Sequence, residues 1–463
     1  MDKTLNEGIS DSRLKGFLQK YMRDYSTLHK LSLKSMYFCG RSPLLLPDLP
    51  KGVYLLSNGT ESVTFGTTHC NSSWACPVCT PKVMARYGDK IACAIDALAT
   101  KGDQSAMMIT MTIPHMPFMD CKDCLQLIMK AWRHFTKGCK SKTKDTFTKK
   151  DGTVSHYKKN AGAFCKMCTE LGIKHSVRVY EATHGENSWH IHIHGLLWCP
   201  NYKWEEIAQY EEPVFEYWWK CIESEARKYW RAKLKDQPDG QQKADELVND
   251  MCADWRKYPK TGHRSFYISK TKDGKIRKAT SSRYICGWST NHELTGFAQK
   301  TARNGHRSPT QILEDAYKNY YDKRDMDAVK KDMDLYLEYA KQTKGHNRIN
   351  FSIGLNKIIE DWKTTETYWL RCKKKAMDKE QKAPFKIVAY FTLQQWSNML
   401  YICYIDKEED WLSKILELAR LPNGRELIEI YCLNYEVDIR NNIIIPRADF
   451  VGKVINNIYD RVS

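Results

Sequence analysis

One stretch near the middle of the chain constrains its fold more than any other: Trp189-His190-Ile191-His192-Ile193-His194-Gly195-Leu196-Leu197. In an extended strand alternate side chains share a face, so His190, His192 and His194 line one side while Ile191 and Ile193 enter a core. The preceding run HSVRVYEAT (175–183) alternates in the same way, and the short turn-like HGEN separates the two. The pattern predicts a β-hairpin over 175–198. With the turn centred on Gly185 and Glu186, Glu181 stands opposite His190 and diagonal to His192 on the same face. A carboxylate beside imidazoles suits a divalent ion such as Mg²⁺ or Mn²⁺, with positions left open for phosphate oxygens.

At 463 residues, the chain exceeds the length at which one hydrophobic core keeps growing, so two or three modules are expected. Its 73 Lys+Arg against 55 Asp+Glu give a net charge of +18, which suits a polyanionic partner because each neutralised phosphate releases a counterion. No apolar run approaches bilayer length, and the start MDKTLNEGISDSRLKGF lacks the apolar stretch of a signal peptide. The expectation is a soluble, cytoplasmic protein without a membrane partner. The cysteine count of 17 is odd and several thiols lie in close CxxC pairs, so metal-bound and reduced thiols are expected rather than disulfides.

The expected organisation is a polar, helical lead-in (1–35), a zinc-binding module (36–95), a catalytic domain (100–300) and a mainly helical C-terminal region (301–463). Cys70, Cys76 and Cys79 in HCNSSWACPVC, with Cys39 in YFCGRSP, supply the four thiolates a tetrahedral structural zinc needs, and His69 is a substitute for one. They run into a helix. Cys121/Cys124 and Cys165/Cys168 form further CxxC pairs, but on helices such spacing is explained by inward packing. MMITMTI (107–113) reads as a strand closed by Pro114, 125–135 as a helix, and the basic insertion 139–160 as a solvated hairpin or loop. Residues 202–256 have helical spacing, 264–280 read as a hairpin turning at Lys272-Asp273-Gly274, and a helix is expected from Ser281. Beyond residue 300 helical signals dominate, broken by the strand-like FKIVAYF.

VRVYEATHGENSWHIHIHGLLW resembles the second motif of the HUH endonucleases, specifically of rolling-circle plasmid replication initiators, in which a Glu-x-Thr-x-Gly segment precedes Trp-His-Pro-His-x-His. The match makes His192 and His194 the HUH pair, with Ile191 where the family often has Pro and His190 as a neighbour of the ligands. MMITMTIPH (107–115) is similar to the first motif. SSRYICGWSTNHELTG (281–296) is similar to the third, which makes Tyr284 the nucleophile, although Gly287 stands where the family commonly carries Lys. Tyr267, on the preceding strand, is the alternative nucleophile. YLEYAKQTKGHNRINFSIGLN (336–356) resembles a downstream segment, and the zinc cysteines resemble those of related replication proteins.

The resemblance implies an α+β fold: an HUH core of antiparallel sheet with flanking helices, joined to the zinc module and the helical C-terminal region. It implies a metal-dependent nickase. Glu181, His192 and His194 would hold Mg²⁺ or Mn²⁺, Tyr284 would attack the scissile phosphate, and a 5′ phosphotyrosine with a free 3′ hydroxyl would result. The implied substrate is single-stranded or hairpin origin DNA. Since no GxxxxGK[ST] loop occurs, a separate helicase and a host polymerase are the expected partners. The rival readings are a transposase or mobilisation relaxase of the same chemistry, and a zinc-containing DNA-binding regulator that does not cleave.

Overall fold

A computed structural model describes residues 9, 11–25, 33–43, 52–57, 62–102, 104–136, 146–148, 151–156, 162–200, 204–257, 265–271, 275, 276, 278, 305–370, 386–391, 435–438 and 443–446. The chain forms two compact units, Met1–Thr80 with Leu313–Met333 and Glu366–Ser463, and Pro81–Ile312 with Asp334–Thr365.

In the first unit, helix α1 (Asp11–Asp24) buries Leu14, Phe17, Leu18, Tyr21 and Met22. Their spacing makes one apolar stripe. Phe17 meets the rings of Tyr317 and Tyr320 at centroid distances of 5.7 and 5.6 Å. These tyrosines come from helix α9 (Pro309–Lys318) and the π-helical turn Asn319–Lys323 that follows it. A short helix α2 (Lys34–Phe38) leads to strands β1 (Val53–Ser57) and β2 (Ser62–Phe65), and β10 (Lys386–Phe391) completes an antiparallel sheet of order β10-β1-β2. FKIVAYF is therefore a strand, as its pattern predicts. The C-terminal region also carries a strand pair, β11 (Tyr435–Asp438) with β12 (Ile443–Pro446), where helical spacing led us to expect helices. Both runs are short and rich in β-branched residues, which favour extended backbone.

The second unit is built on an antiparallel sheet of order β8-β3-β7-β6-β9, from β3 (Gln104–Thr112), β6 (His175–Gly185), β7 (Ser188–Pro200), β8 (Phe266–Ile268) and β9 (Ile349–Phe351). On one face Ala106, Val177, Val179, Leu196 and Trp198 pack with Met84, Ile91, Ala94, Ile95 and Leu98 of helix α3 (Cys79–Gly102) and with Leu355 and Ile359 of α11 (Leu355–Lys363). The opposite face buries Ile109, Met111, Ile191, Ile193, Leu197 and Phe266 beside α4 (Cys121–Phe135) and α7 (Glu211–Lys233). There Phe135 lies 5.2 Å from Trp218 and 6.4 Å from Phe266 between ring centroids, and Trp218 Nε1 donates to the Thr112 carbonyl at 3.0 Å. Both faces are covered, so β7 reads as nearly continuous apolar sequence apart from its histidines.

Strands β6 and β7 form the expected hairpin, but the register differs from the sequence-based one. Gly185 pairs with Ser188, so the turn is Glu186-Asn187, and Glu181 lies opposite His192, not His190. The shift is two residues, which preserves the face. Its physical reason is that Gly185 is needed in the strand: a Cβ there would lie 2.7 Å from Cε1 and Nδ1 of His306, whose ring packs against its backbone. Backbone hydrogen bonds between His184 and Arg307, at 2.8 and 2.7 Å, hold that segment in place. Ser188 takes the left-handed conformation (φ 73°) that closes the turn.

The remaining expectations resolve element by element. The 139–160 insertion contains a hairpin, β4 (Thr146–Thr148) with β5 (Val154–His156). The 264–280 segment returns on itself through a bridge between Lys270 and Ile276, with residues 272–274 outside the described residues. Helices α6 (Trp204–Ala208) and α8 (Gly240–Lys257) flank α7, and α10 (Met326–Thr343) precedes β9. α5 (Ala163–Glu170) carries Cys165, which is disulfide-bonded; this corrects the expectation of uniformly reduced thiols. The expected helix at 281–296, with Tyr284 and Gly287, lies outside the described residues.

Candidate metal centres

The strand register assembles the first centre. Across the ladder Tyr267 pairs with Thr110, Thr110 with His194, and Thr112 with His192, while on the other side Glu181 pairs with His192. Directly paired residues project to one side of a sheet, so Tyr267, Thr110, His192, His194 and Glu181 share a face. They sit toward the end of the strands, beyond Val179 and Leu196, where the packed core under α3 and α11 gives way.

His192 Nε2 and His194 Nε2 both point at one oxygen, Glu181 Oε2, at 3.0 and 2.7 Å. All ligand atoms of this group lie within 4.8 Å of one another. The three side chains are 10–14% exposed, open enough for a ligand to arrive and enclosed enough to exclude bulk water. Such convergence fits a divalent ion that replaces the shared hydrogen-bond acceptor as the point of attraction. Burial pushes the Glu181 carboxyl up, but the charge and hydrogen bond of His192, with those of His194, outweigh it and hold the carboxyl well below its ordinary range. It is an anion at neutral pH.

Thr110, which sequence reasoning placed on the strand without a role, hydrogen-bonds His194 Nδ1 at 3.0 Å through Oγ1. When Nδ1–H donates to that hydroxyl, Nε2 keeps its lone pair for a metal. His190 stands outside the convergent group. Its ring packs against His115 (5.0 Å between centroids), His192 (5.2 Å) and His306 (6.0 Å). Burial, then repulsion from His192, His115 and His306, holds it well below the ordinary imidazole value, so it is neutral.

The second centre lies in the first unit. Cys39 follows α2, Cys70 follows β2, and Cys76 and Cys79 lead into α3; their four sulfurs lie within 4.8 Å of one another. Cys39 Sγ is 3.4 Å from Cys79 Sγ and 3.7 Å from Cys76 Sγ. Tetrahedral zinc with Zn–S near 2.3 Å sets sulfurs about 3.8 Å apart. The donor set therefore fits zinc. Local backbone explains the arrangement: Ser72 Oγ accepts from Trp74 N and Ala75 N, Thr80 Oγ1 donates to the Ser72 carbonyl, and Asn71 adopts left-handed backbone (φ 49°). Gly40 N donates to Thr68 O at 2.8 Å and Thr68 N to Ser42 O at 2.7 Å, tying the two cysteine loops together. Hydrogen bonds from Cys70, Cys76 and Cys79 pull the Cys39 thiol down, and the same sharing pushes Cys70 up. His69 Nδ1 lies 3.8 Å from Cys79 Sγ, at the rim of the group rather than within it.

The four sulfurs act electrostatically on Lys15, which is 2% exposed. Burial pulls its ammonium down, and Cys76, Cys39, Cys70 and Cys79 together more than offset that. Sequence reasoning missed Lys15, although the signal was there: it falls on the helical stripe of Leu18 and Met22, where a lysine is out of place.

Cys121 and Cys124 are buried in α4, where burial raises both thiols; among the described residues they join no metal-competent group. No helix of the described residues is long and apolar enough to cross a membrane. No family model, no curated protein and no solved structure matches this chain.

Proposed function

We propose that the protein is a metal-dependent DNA nickase that initiates rolling-circle replication, cutting one strand through a tyrosine and remaining attached to its 5′ end. The observation that carries this reading is the convergence of His192 Nε2 and His194 Nε2 on Glu181 Oε2, in a half-buried pocket of a basic protein. Mg²⁺ or Mn²⁺ held there would polarise the scissile phosphate and offset charge developing on its oxygens.

Each residue has a part in that chemistry. Glu181 supplies the anionic charge that attracts a cation, and Thr110 fixes the tautomer of His194. A phenol with an ordinary pKa near 10 is a weak nucleophile, so the reaction needs the phosphate made electrophilic more than it needs a stronger base. Tyr284 Oη would attack phosphorus in line, breaking the bond to the 3′ oxygen. The phosphotyrosine keeps the bond energy for rejoining, and the freed 3′ hydroxyl primes a host polymerase. Unpaired origin DNA, either single-stranded or an extruded hairpin, suits such a site, and a separate helicase would supply unwinding. The four cysteines would hold structural Zn²⁺.

A second reading of the nucleophile has its own support. Tyr267 is 40% exposed on the face that carries the triad, two strands away from His194 through Thr110. The reading is tested by incubating the protein with Mn²⁺ and labelled single-stranded DNA bearing origin hairpins. Cleavage that requires the metal, and that Glu181→Ala, His192→Ala and His194→Ala each abolish, is expected. Sequence-specific binding without cleavage under any metal would replace it with a DNA-binding regulator. Cutting at paired inverted ends instead of a hairpin origin would favour a transposase or relaxase.

A further inference from the structure

We propose that Lys15 is the built-in counter-cation of the four-cysteine centre, and that it makes docking of the N-terminal helix depend on the bound metal. The proposal rests on reading Cys39, Cys70, Cys76 and Cys79 as a site for a zinc-class dication. Three observations lead to it. Lys15 is buried, on the inward stripe of α1. Its Nζ donates to the Met36 carbonyl, and among the described residues no carboxylate forms an ion pair with it. One turn further along, Gln19 Nε2 donates to the Tyr37 carbonyl at 2.8 Å and the Cys39 carbonyl at 2.9 Å. The inner face of α1 thus grips the backbone that presents Cys39.

The charge argument follows. Four thiolates around one dication carry net negative charge, and a buried ammonium beside them is compensated. With the ion gone the cysteines take up protons, the cluster loses its charge, and Lys15 becomes an isolated cation in a low-dielectric interior. That state is strongly unfavourable. The simplest relief is for α1 to leave, exposing Lys15 to water and freeing the Cys39 loop. Metal occupancy and the position of α1 are therefore linked, and neutralising residue 15 uncouples them.

The test uses the full chain, wild type and Lys15→Met, with hydrogen exchange of peptides spanning 11–24 followed by mass spectrometry, with and without a strong zinc chelator. Zinc release is followed in parallel with a colorimetric dye. In wild type, chelation is expected to speed exchange across 11–24 about tenfold or more. In Lys15→Met the helix is expected to exchange at one rate with or without zinc, while the ion is held roughly 10–100-fold more weakly. Lys15→Gln, which keeps a donor for the Met36 carbonyl, provides the same readout should the methionine disturb folding. If wild type binds zinc through the cysteines but both variants release it at the wild-type rate and show the wild-type chelator response, Lys15 has no such role and the metal reading stands. If wild type binds no zinc and the chelator changes nothing, both fall.

Discussion

The two metal-competent centres are held in place by different means. Glu181, His192 and His194 sit on adjacent strands whose ladder runs from Gly185–Ser188 to His175–Trp198, with both faces of the sheet packed. The backbone fixes their positions with or without an ion. Cys39, Cys70, Cys76 and Cys79 come from loops and element ends whose mutual hydrogen bonds are few, and a buried cation leans on them. A strand-built site is preorganised and leaves room for a substrate; a loop-built site needs its ion to close. Removing metal should cost the first its chemistry and the second its structure.

The largest effect should come from breaking the sulfur centre. Structural zinc contributes about 10 kcal/mol of folding free energy in small zinc modules, so Cys76→Ser should unfold the first unit well before the second. Calorimetry should then show two transitions where the zinc-loaded protein shows closer ones. Unchanged melting would mean that the cysteines are packing residues and the comparison fails. Glu181→Ala should lower metal-dependent nicking about a thousandfold, an effect of about 4 kcal/mol on the barrier, while leaving far-UV circular dichroism intact. Loss of the fold instead would make Glu181 structural.

Smaller effects sharpen the contrast. Thr110→Val removes the partner of His194 Nδ1 and should weaken Mn²⁺ binding roughly 10–100-fold, measured by electron paramagnetic resonance. Gly195 permits close approach of β3 and β7: a Cβ there would lie 2.8 Å from Ile109 Cγ1. Gly195→Ala should therefore cost about 1–3 kcal/mol in denaturant titrations and loosen the metal site next to it, with or without metal.

The smallest effect concerns Glu338, whose Oε1 accepts from Cys121 N at 2.6 Å. Burial raises its carboxyl above the ordinary value of 4.5, and repulsion from Asp120 and Asp123 adds to this. A raised folded pKa means the native state holds this proton more tightly than the unfolded chain does. Stability contributed by this group is present below pH 4.5 and declines as pH rises through the folded pKa. Glu338→Gln should match wild type near pH 4 and exceed it slightly at pH 7, in paired unfolding curves. An equal loss at both values would show that the hydrogen bond needs the carboxylate.

Much of the strand-built centre was legible in the sequence, because a period of two in Trp189–Leu197 admits only one assignment of faces. The register was not. Gly185 looks like a turn residue, and only the distant His306 ring that packs on it explains why it stays in the strand. β9 was missed because Ile349–Phe351 is too short for a pattern to register. The cysteine group was readable from spacing alone, since thiolates converge on an ion wherever the loops allow. Its lysine was overlooked because a single charged residue in a polar helix is by default solvated, although its place on the stripe of Leu18 and Met22 marks it. The described residues stop short of Tyr284, so the nucleophile rests on motif order alone.

The central claim is that this chain cuts DNA through a tyrosine activated by the Glu181–His192–His194 centre. Its most direct test is to trap the protein on single-stranded origin DNA with Mn²⁺, digest the adduct, and identify the nucleotide-bearing peptide by mass spectrometry. The account predicts a phosphotyrosine on Tyr284, absent when Glu181 is replaced by alanine. A nucleotide on Tyr267 would keep the metal centre and move the nucleophile to the strand. An adduct that forms equally well without metal, or in Glu181→Ala, would contradict the account.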